Sequence, residues 1–251
     1  MVKKRVLVTG LSGVIGGAVL KHLGDKYDLS ALNRRDVPGV PCYRADIADL
    51  NAIRPAFEGK DVVVHLAAVL GGASWEDILH TNIVGCYNVF EASRLAGVKR
   101  IIFASSGAVV MGYEKDFPYD AIIKGEYDKV PPDWPMLTAE SQVRPNDLYG
   151  ASKVWGEAIG RYYSEVFGIS VICLRFGRVK ADDKPTTPRD FVVWCSLRNA
   201  AQMVDKCIAA PEDLRFDILY VVSNNRWRHR DIEHARKVVG YYPLDGAGSY
   251  G

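Results

Sequence analysis

A glycine-rich turn near the start of the chain constrains its fold more than any other feature. Arg5–Thr9 is a short apolar run typical of a buried strand, and Gly10, Gly13 and Gly16 follow it. Residues at helical apolar spacing continue from Val14. Glycines in such a strand–turn–helix let the backbone approach a pyrophosphate, and the first helical turn offers it free N–H groups. The segment predicts a nucleotide-binding unit; the alternative is a tight turn that only packs a helix on a strand.

Strands and helices alternate along the rest of the chain, which predicts an α/β fold: a Rossmann-type, doubly wound parallel sheet. We expect further strands near 29–32, 41–45, 61–66, 100–104, 170–175 and 217–222, and helices near 50–57, 74–95, 149–167, 197–209 and 231–239. The stretch 113–146 is irregular, and a loop of that length is usually functional. We expect one domain over 1–251, with a small C-terminal substrate-binding part and substrate-binding elements from about 113–146 and 178–251.

Composition excludes several classes of function. The chain has 32 basic and 30 acidic residues and a net charge of +2, which provides no electrostatic footprint for nucleic acid or an anionic membrane. Its five cysteines are scattered without a CxxC pair, and no apolar run approaches the roughly 20 residues that span a bilayer. We therefore expect a cytoplasmic protein with reduced thiols, no metal site and a small-molecule partner.

The residues after the second predicted strand bear on the choice of dinucleotide. Asn33, Arg34 and Arg35 stand where such a fold contacts the adenosine ribose, about 20 residues after the glycine turn. Two arginines can hold a 2′-phosphate in bidentate fashion, whereas an aspartate would repel it. Because arginines after a strand are often only solvated surface, the sequence favours NADP but leaves NAD open.

Tyr149 and Lys153 are the candidate catalytic pair. They are four residues apart in a segment with helical spacing, so their side chains lie on one face. A nearby ammonium lowers the pKa of a phenol from about 10, and such a tyrosine can move a proton on or off an alcohol oxygen. The alternative is a packing tyrosine and a surface lysine that share a helix by chance. His65, at a strand end, is more typical of a structural histidine than of a catalytic base.

Together these motifs resemble the extended short-chain dehydrogenase/reductase family, also called the NAD-dependent epimerase/dehydratase family. The resemblance rests on Thr9–Gly16, Asp46-Ile47, His65–Ala68, Asn82, Ser105-Ser106 and Tyr149–Lys153, in that order. It implies hydride transfer between C4 of a nicotinamide and a substrate carbon, and a homodimer formed by the two long helices. It also implies cofactor contacts by Gly10, Ser12, Gly13, Val14, Ile15, Gly16, Asn33, Arg34, Arg35, Asp46, Ile47, Leu66, Ala67, Ala68, Asn82, Tyr149, Lys153 and Phe176.

The resemblance also assigns catalytic roles. Tyr149 would exchange the hydroxyl proton, Lys153 would lower the pKa of Tyr149 and hold the nicotinamide ribose, and Ser106 would hydrogen-bond the reacting oxygen. The segment from Ser106 to Gly112 is one residue longer than is usual in the family. We favour Ser106 as the catalytic serine, with Ser105 as the alternative.

Within the family, the chain is most similar to uronate dehydrogenases and related sugar C1 dehydrogenases. The likeness is carried by Gly71–Asn82, Phe103–Ser106, Leu174–Gly177 and the tail from Ser223 to Asp245. It implies oxidation of an aldose or uronate at C1, with substrate contacts by Ser74, Ser106, Gly107, Arg178 and Arg189. This chain departs from those enzymes at Gly107, where they carry asparagine, and at Arg178, where they carry a small polar residue. Arg178 could bind an anionic group or close the strand end with a salt bridge.

Two rival functions remain at this point. A nucleotide-sugar epimerase or dehydratase shares the fold and the tyrosine–lysine pair, but usually has more chain after the sixth strand than the roughly 75 residues that follow Arg175. A regulatory protein that binds NADP(H) without turnover usually loses the tyrosine or the lysine, whereas this chain keeps both.

Overall fold

A seven-stranded sheet organises residues 2–249, the part of the chain that this computed structural model describes. The strands are β1 (Arg5–Thr9), β2 (Asp28–Asn33), β3 (Cys42–Arg44), β4 (Val62–His65), β5 (Arg100–Ser106), β6 (Ser170–Phe176) and β7 (Phe216–Val221). They pair in the order β3-β2-β1-β4-β5-β6-β7, always in parallel. The order reverses between β1 and β4, and this switch point opens a crevice at the carboxyl ends of the strands. The predicted Rossmann-type fold is confirmed.

Helices cover both faces of the sheet. They are α1 (Val14–Leu23), α2 (Leu50–Ile53), α3 (Trp75–Asp77), α4 (Cys86–Leu95), α5 (Tyr119–Lys124), α6 (Leu148–Phe167), α7 (Asp190–Val193), α8 (Leu197–Ala209) and α9 (Glu233–Val239). Short 3₁₀ segments lie at Arg54–Phe57, Gly107–Lys115, Tyr127–Lys129 and Ala247–Ser249. In the range that the structure describes, no helix is both long and apolar enough to cross a membrane.

Alternate strand residues enter two apolar cores, one on each side of the sheet. Val62 and Val64 of β4 belong to the core beneath α1 and α8, whereas Val63 belongs to the core beneath α4 and α6. All four residues of β4 are buried, since both faces of a central parallel strand are covered. This explains the uninterrupted valine run in the sequence.

The helix expected over 74–95 is not one regular α-helix. Ile78–Gly85 forms a π-helical segment between α3 and α4. Similarly, the helix expected near 50–57 becomes a 3₁₀ segment at Arg54, where Pro55 stands in the first turn. A π segment inside an α-helix often marks a functional position, and here it contains Asn82.

The irregular stretch 113–146 is ordered against the C-terminal part of the chain. Leu137 N–H donates to the carbonyl of His229 at 2.7 Å, and Trp134 Nε1 donates to the carbonyl of Arg228 at 3.1 Å. Tyr127 stacks on Trp227 with ring centroids 4.1 Å apart. The insertion and the segment after β7 therefore form a single wall beside the carboxyl ends of the strands.

Candidate active site

The glycine turn is shaped by close approaches that no side chain could share. Gly10 has φ +72°, and a Cβ there would lie 2.8 Å from the backbone N of Ala67. A Cβ on Gly16 would lie 2.4 Å from the carbonyl O of Leu11. Helix α1 follows, with Gly13 at its N-cap and no side-chain cap from the described residues. Its first N–H groups are therefore free to bind a phosphate.

Two adjoining cavities run from this turn along the carboxyl ends of the strands. The first, of about 330 Å³, is lined by Gly10, Ser12, Gly13, Leu32, Asn33, Arg34, Arg35, Ala45, Asp46, Ile47, Leu66, Ala67, Ala68 and Thr81. The second, of about 350 Å³, is lined by Gly10, Gly13, Val14, Ile15, Gly16, Leu66, Ala68, Leu70, Ala104, Ser105, Ser106, Tyr149, Lys153, Phe176, Gly177, Arg178 and Val179. They share Gly10, Gly13, Leu66 and Ala68, so they form one trench that suits an extended dinucleotide.

The first cavity is the adenosine end of this trench. Burial opposes ionisation of Asp46, but hydrogen bonds from Ala48 N–H and His80 and the charge of Arg34 outweigh it and lower the pKa of Asp46. Asn33 is buried and accepts from the N–H of Leu11 at 3.0 Å. Its amide oxygen thus holds the glycine turn, while the exposed Arg34 and Arg35 line the cavity.

Tyr149 and Lys153 lie at the opposite end of the trench, in the first turns of α6. Asp147 caps this helix by accepting from the N–H of Gly150 at 2.6 Å. Lys153 Nζ donates to the carbonyl of Ala104 at 2.8 Å and lies 5.5 Å from the centre of the Tyr149 ring. Because the ammonium is fully buried, the pKa of Lys153 falls to about 8.

The pKa of Tyr149 lies above its ordinary value, the reverse of the predicted shift. Burial raises it, the hydrogen bond with Ser106 opposes that rise, and the charge of Asp147 adds to it. Desolvation therefore dominates at this phenol. The hydrogen bond with Ser106 favours ionisation of the phenol.

The two adjacent serines at the end of β5 have different partners. Ser106 is hydrogen-bonded to Tyr149 and accepts from the N–H of Ala108 at 3.1 Å. Ser105 donates to Glu157 at 2.6 Å, inside a buried network in which both oxygens of Glu157 accept from Arg175 at 2.8 Å. Only the Ser106 hydroxyl is thus paired with the candidate acid/base.

Asn82 lies behind the trench and lines neither of its cavities. Its amide accepts from Val69 N–H at 2.9 Å and donates to the Val69 carbonyl at 3.0 Å. The same amide nitrogen donates to Ser152 Oγ at 3.0 Å, and Ser152 in turn donates to the Tyr149 carbonyl at 2.7 Å. In this structure Asn82 positions the loop after β4 and the start of α6.

His65 takes the structural place expected for it. A hydrogen bond of 2.7 Å joins its Nδ1 to Thr9 Oγ1, which also accepts from the N–H of Ala67. Burial, aided by the charge of Lys153, lowers the pKa of His65 to about 3. The imidazole is neutral and ties the ends of β1 and β4 together.

Ser74 does not reach the site in this structure. It is exposed and caps α3, accepting from Asp77 N–H at 3.1 Å and donating to Asp77 Oδ2 at 2.9 Å. Its role in this structure is a local helix cap, which a serine three residues before an aspartate could have indicated.

The predicted substrate arginines are both paired with carboxylates. Arg178 lines the nicotinamide end of the trench, half exposed, with Nε 3.1 Å from Asp190 Oδ1. Arg189 binds Glu114 through two hydrogen bonds of 2.7 and 2.9 Å. Glu114 was not anticipated from the sequence, since it belongs to the irregular insertion and contacts Arg189 only through the fold.

Gly107 has no side chain to offer a substrate, and its surroundings explain why. A Cβ there would lie 2.3 Å from the guanidinium of Arg230. The space that the asparagine side chain would fill is occupied by the guanidinium of Arg230. In the sequence, the Arg-His-Arg-Asp run at 228–231 is the feature that could have drawn attention to Arg230.

The parallel sheet, the trench at its switch point and the Tyr149–Lys153–Ser106 set together define a Rossmann-type NAD(P)-binding enzyme. The chain belongs to the NAD-dependent epimerase/dehydratase family, whose model matches residues 6–221. This confirms the resemblance drawn from its motifs.

Several relatives are similar along the whole chain. The NAD-dependent glucose-6-phosphate dehydrogenase of Haloferax volcanii is 33% identical over 98% of this chain and 95% of its own. The L-arabinose 1-dehydrogenase (NAD(P)(+)) of the same organism is 30% identical over 97% of each. The crystal structure of uronate dehydrogenase from Agrobacterium tumefaciens superposes with a TM-score of 0.85 at 29% identity, covering 100% of this chain and 88% of that one.

Proposed function

We propose that this protein is an NAD(P)-dependent dehydrogenase that oxidises an aldose or sugar acid at C1. The observation that carries the proposal is the meeting of the Tyr149 and Ser106 hydroxyls beside the buried Lys153, at one end of a dinucleotide-sized trench. The full-length similarity to sugar dehydrogenases supports the same substrate class.

The chain's own residues account for binding the cofactor and the substrate oxygen. The free N–H groups of α1 and the close-approach glycines would hold the pyrophosphate, and Asp46 and Ile47 would flank the adenine. When bound, the nicotinamide supplies the hydride acceptor. Ser106 orients the C1 hydroxyl of the sugar, and Tyr149 takes its proton. Lys153, charged below about pH 8, stabilises the phenolate that Tyr149 needs before it can accept that proton.

The residues at the adenosine end of the trench support a preference between the two dinucleotides. Arg34 and Arg35 are exposed there. The carboxylate of Asp36, the next residue, forms a salt bridge of 3.6 Å with the guanidinium of Arg44. The two guanidinium groups would bind a 2′-phosphate, so we propose that NADP is used in preference to NAD.

A homodimer is proposed from the exposed apolar side chains on the two long helical segments. They are Trp75, Leu79, Val84, Tyr87, Leu95, Leu148, Trp155, Tyr162, Val166 and Phe167. Such a concentration of apolar surface on adjacent helices is typical of a contact between subunits. Light scattering after gel filtration tests it, and Trp155→Glu should give the monomer.

We also assign the protein to the cytoplasm, where its five free cysteines would stay reduced.

The first experiment follows reduced-nicotinamide absorbance with NAD and with NADP, using free aldoses, uronates and sugar phosphates. Tyr149→Phe should lower kcat by about 10²- to 10⁴-fold while cofactor binding persists. Tyr242→Phe, an exposed tyrosine outside the helices of the proposed dimer contact, is the matched control. Turnover that survives in Tyr149→Phe would refute the role of the phenol.

The alternative is an epimerase or dehydratase of nucleotide-linked sugars, which regenerates its cofactor in each cycle. The same tyrosine–lysine pair would serve it. This alternative would be favoured if the protein bound the cofactor and turned over a nucleotide-linked sugar but oxidised no sugar of the panel. No turnover in either assay would favour a cofactor-binding regulatory protein.

A further inference from the structure

A separate cavity lies at the amino ends of the strands, on the edge of the sheet opposite the trench. Its volume is about 570 Å³, and it shares no lining residue with either cavity of the trench. Strand β5 runs between the two: Arg100, its first residue, lines this cavity, and Ser106, its last, lines the trench. Because open parallel sheets bind their ligands at the carboxyl ends of the strands, the proposed cofactor and substrate leave this cavity unexplained.

Positive charge dominates the lining of this cavity. Four cationic residues in it form no salt bridge within residues 2–249: Lys4, Lys99, Arg100 and Arg215. Two further charged residues of the lining are neutralised by partners outside it. The carboxylate of Asp61 lies 2.9 Å from the guanidinium of Arg5. The guanidinium of Arg94 lies 2.7 Å from the carboxylate of Glu91. Glu212, an exposed residue of the lining, is then the carboxylate that opposes the four cations.

Helix ends neutralise part of this charge. Helices α4, α6 and α8 all end beside the cavity. Arg100 donates to the carbonyl of Ala210 at 2.7 Å, just after α8, and Arg215 donates to the carbonyl of Gly168 at 2.9 Å, just after α6. Each helix end carries about half a negative charge. Glu212 and the three helix ends together therefore leave more than one positive charge unopposed, and a cleft with such a surplus attracts anions.

Several of the cationic donors are also free. Lys4 Nζ donates to the carbonyl of Ile208 at 3.0 Å, and the Lys99 ammonium forms no hydrogen bond within the described part of the chain. An ammonium has three donors and a guanidinium has five. Arg100 is 5% exposed and commits its donors to backbone and hydroxyl oxygens, so it contributes its charge alone. Lys4, Lys99 and Arg215 are exposed and can donate to a ligand as well.

We propose that this cavity is a second ligand site, which binds a phosphate monoester with a small organic group. A phosphate monoester carries about 1.5 to 2 negative charges at neutral pH, which matches the surplus of positive charge. Its oxygens accept charge-assisted hydrogen bonds from ammonium and guanidinium groups. The buried Val98 and Ile169 provide an apolar wall for the organic group. The volume lies within the range of small-molecule sites. The proposal does not depend on the reaction in the trench.

Calorimetric titration of the full-length protein with phenyl phosphate tests the proposal. Phenol, which has the same ring without the charge, should bind at least about tenfold more weakly. The titration is repeated in saturating NAD, which occupies the trench and carries no phosphate monoester. The affinity for phenyl phosphate should be the same in both titrations. If NAD abolishes the binding, phenyl phosphate binds in the trench and the proposal is wrong.

Substitutions of two exposed residues locate the site. Lys99→Ser combined with Arg215→Ser removes two charges from the lining and should weaken the binding of phenyl phosphate by about tenfold or more. Lys99→Arg combined with Arg215→Lys keeps both charges and should bind within a few-fold of the wild type. Arg226→Ser combined with Lys237→Ser, at exposed positions outside the cavity, is the matched control and should bind like the wild type. Thermal unfolding of each variant shows whether it is folded.

Three further results would overturn the proposal. The first is the absence of binding up to about 10 mM phenyl phosphate. The second is equal binding of phenol and phenyl phosphate, which would show that the positive charge of the lining selects nothing. The third is unchanged binding in the folded variant that lacks the charges of Lys99 and Arg215, because these basic residues would then serve only to neutralise the helix ends.

Discussion

Asn82 donates a hydrogen bond from its amide nitrogen to Ser152 Oγ, 3.0 Å away. The bond joins a π-helical segment to the helix that carries Tyr149. Ser152 in turn donates a hydrogen bond of 2.7 Å to the Tyr149 carbonyl. The buried amide also fixes Val69, which lies between Ala68 and Leu70 in the lining of the trench. A polar residue in mid-helix is therefore explained by the backbone groups that it satisfies.

Replacing Asn82 with alanine should disturb both stability and catalysis. The change leaves the N–H and carbonyl of Val69 without their partner, so the free energy of unfolding should fall by about 2–3 kcal/mol. We expect kcat to fall by about tenfold or more, because the first turn of α6 loses its support. Urea unfolding and steady-state kinetics measure the two effects. Asn51→Ala, at an exposed position in α2, is the control; an equally small effect of both changes would contradict the positioning role.

The two serines of β5 should separate stability from catalysis. Ser105→Ala removes the hydroxyl that donates to buried Glu157, so it should lower the unfolding free energy by about 1–2 kcal/mol and leave kcat within a few-fold. Ser106→Ala removes the partner of Tyr149 and should lower kcat by about 10²- to 10³-fold with little change in stability. Thermal unfolding and turnover of the same preparations decide the matter, and the reverse pattern would make Ser105 the catalytic serine.

Burial of the Lys153 ammonium predicts a distinctive pH dependence. Its pKa is about 8 in the fold against 10.5 when exposed, so the unfolded chain binds more protons between these values. The contribution of Lys153 to stability therefore rises with pH through that window, by up to about 3 kcal/mol. Lys153→Met removes this contribution, so its stability relative to the wild type should be highest below about pH 8 and decline toward pH 10.5.

Urea unfolding of both proteins at pH values from 7 to 10.5 measures this difference, and subtraction cancels the other titrating groups. Lys237→Met, at an exposed position in α9, is the control and should show a difference that stays constant with pH. A constant difference for Lys153→Met as well would show that the ammonium is not desolvated.

The parts of the site that were predictable are those encoded by short stretches of chain. The turn from Gly10 to Gly16, the strand at Val62–His65 and the spacing of Tyr149 and Lys153 each depend on neighbours within a few residues. Local periodicity and glycine placement are sufficient for them. The family and the parallel sheet followed and are confirmed.

The parts that were missed depend on contacts between distant segments. Arg230 meets Gly107 across 123 positions, and Arg189 meets Glu114 across 75. No local pattern reveals that one carboxylate serves two guanidinium groups. The direction of the Tyr149 pKa shift was wrong for a related reason: helical spacing placed the ammonium near the phenol, but burial depends on everything packed around them.

The dinucleotide preference is testable at two exposed side chains. If Arg34 and Arg35 bind the 2′-phosphate, replacing both with serine removes charge-assisted bonds that only NADP can form. The ratio of kcat/KM for NADP to that for NAD should fall by about tenfold or more, mainly through a higher KM for NADP. Arg54→Ser, an exposed arginine at the end of α2, should leave the ratio unchanged. Should the double variant keep the wild-type ratio, the two arginines are only solvated surface, and the preference must be sought among the other residues that line the adenosine end, such as Thr81.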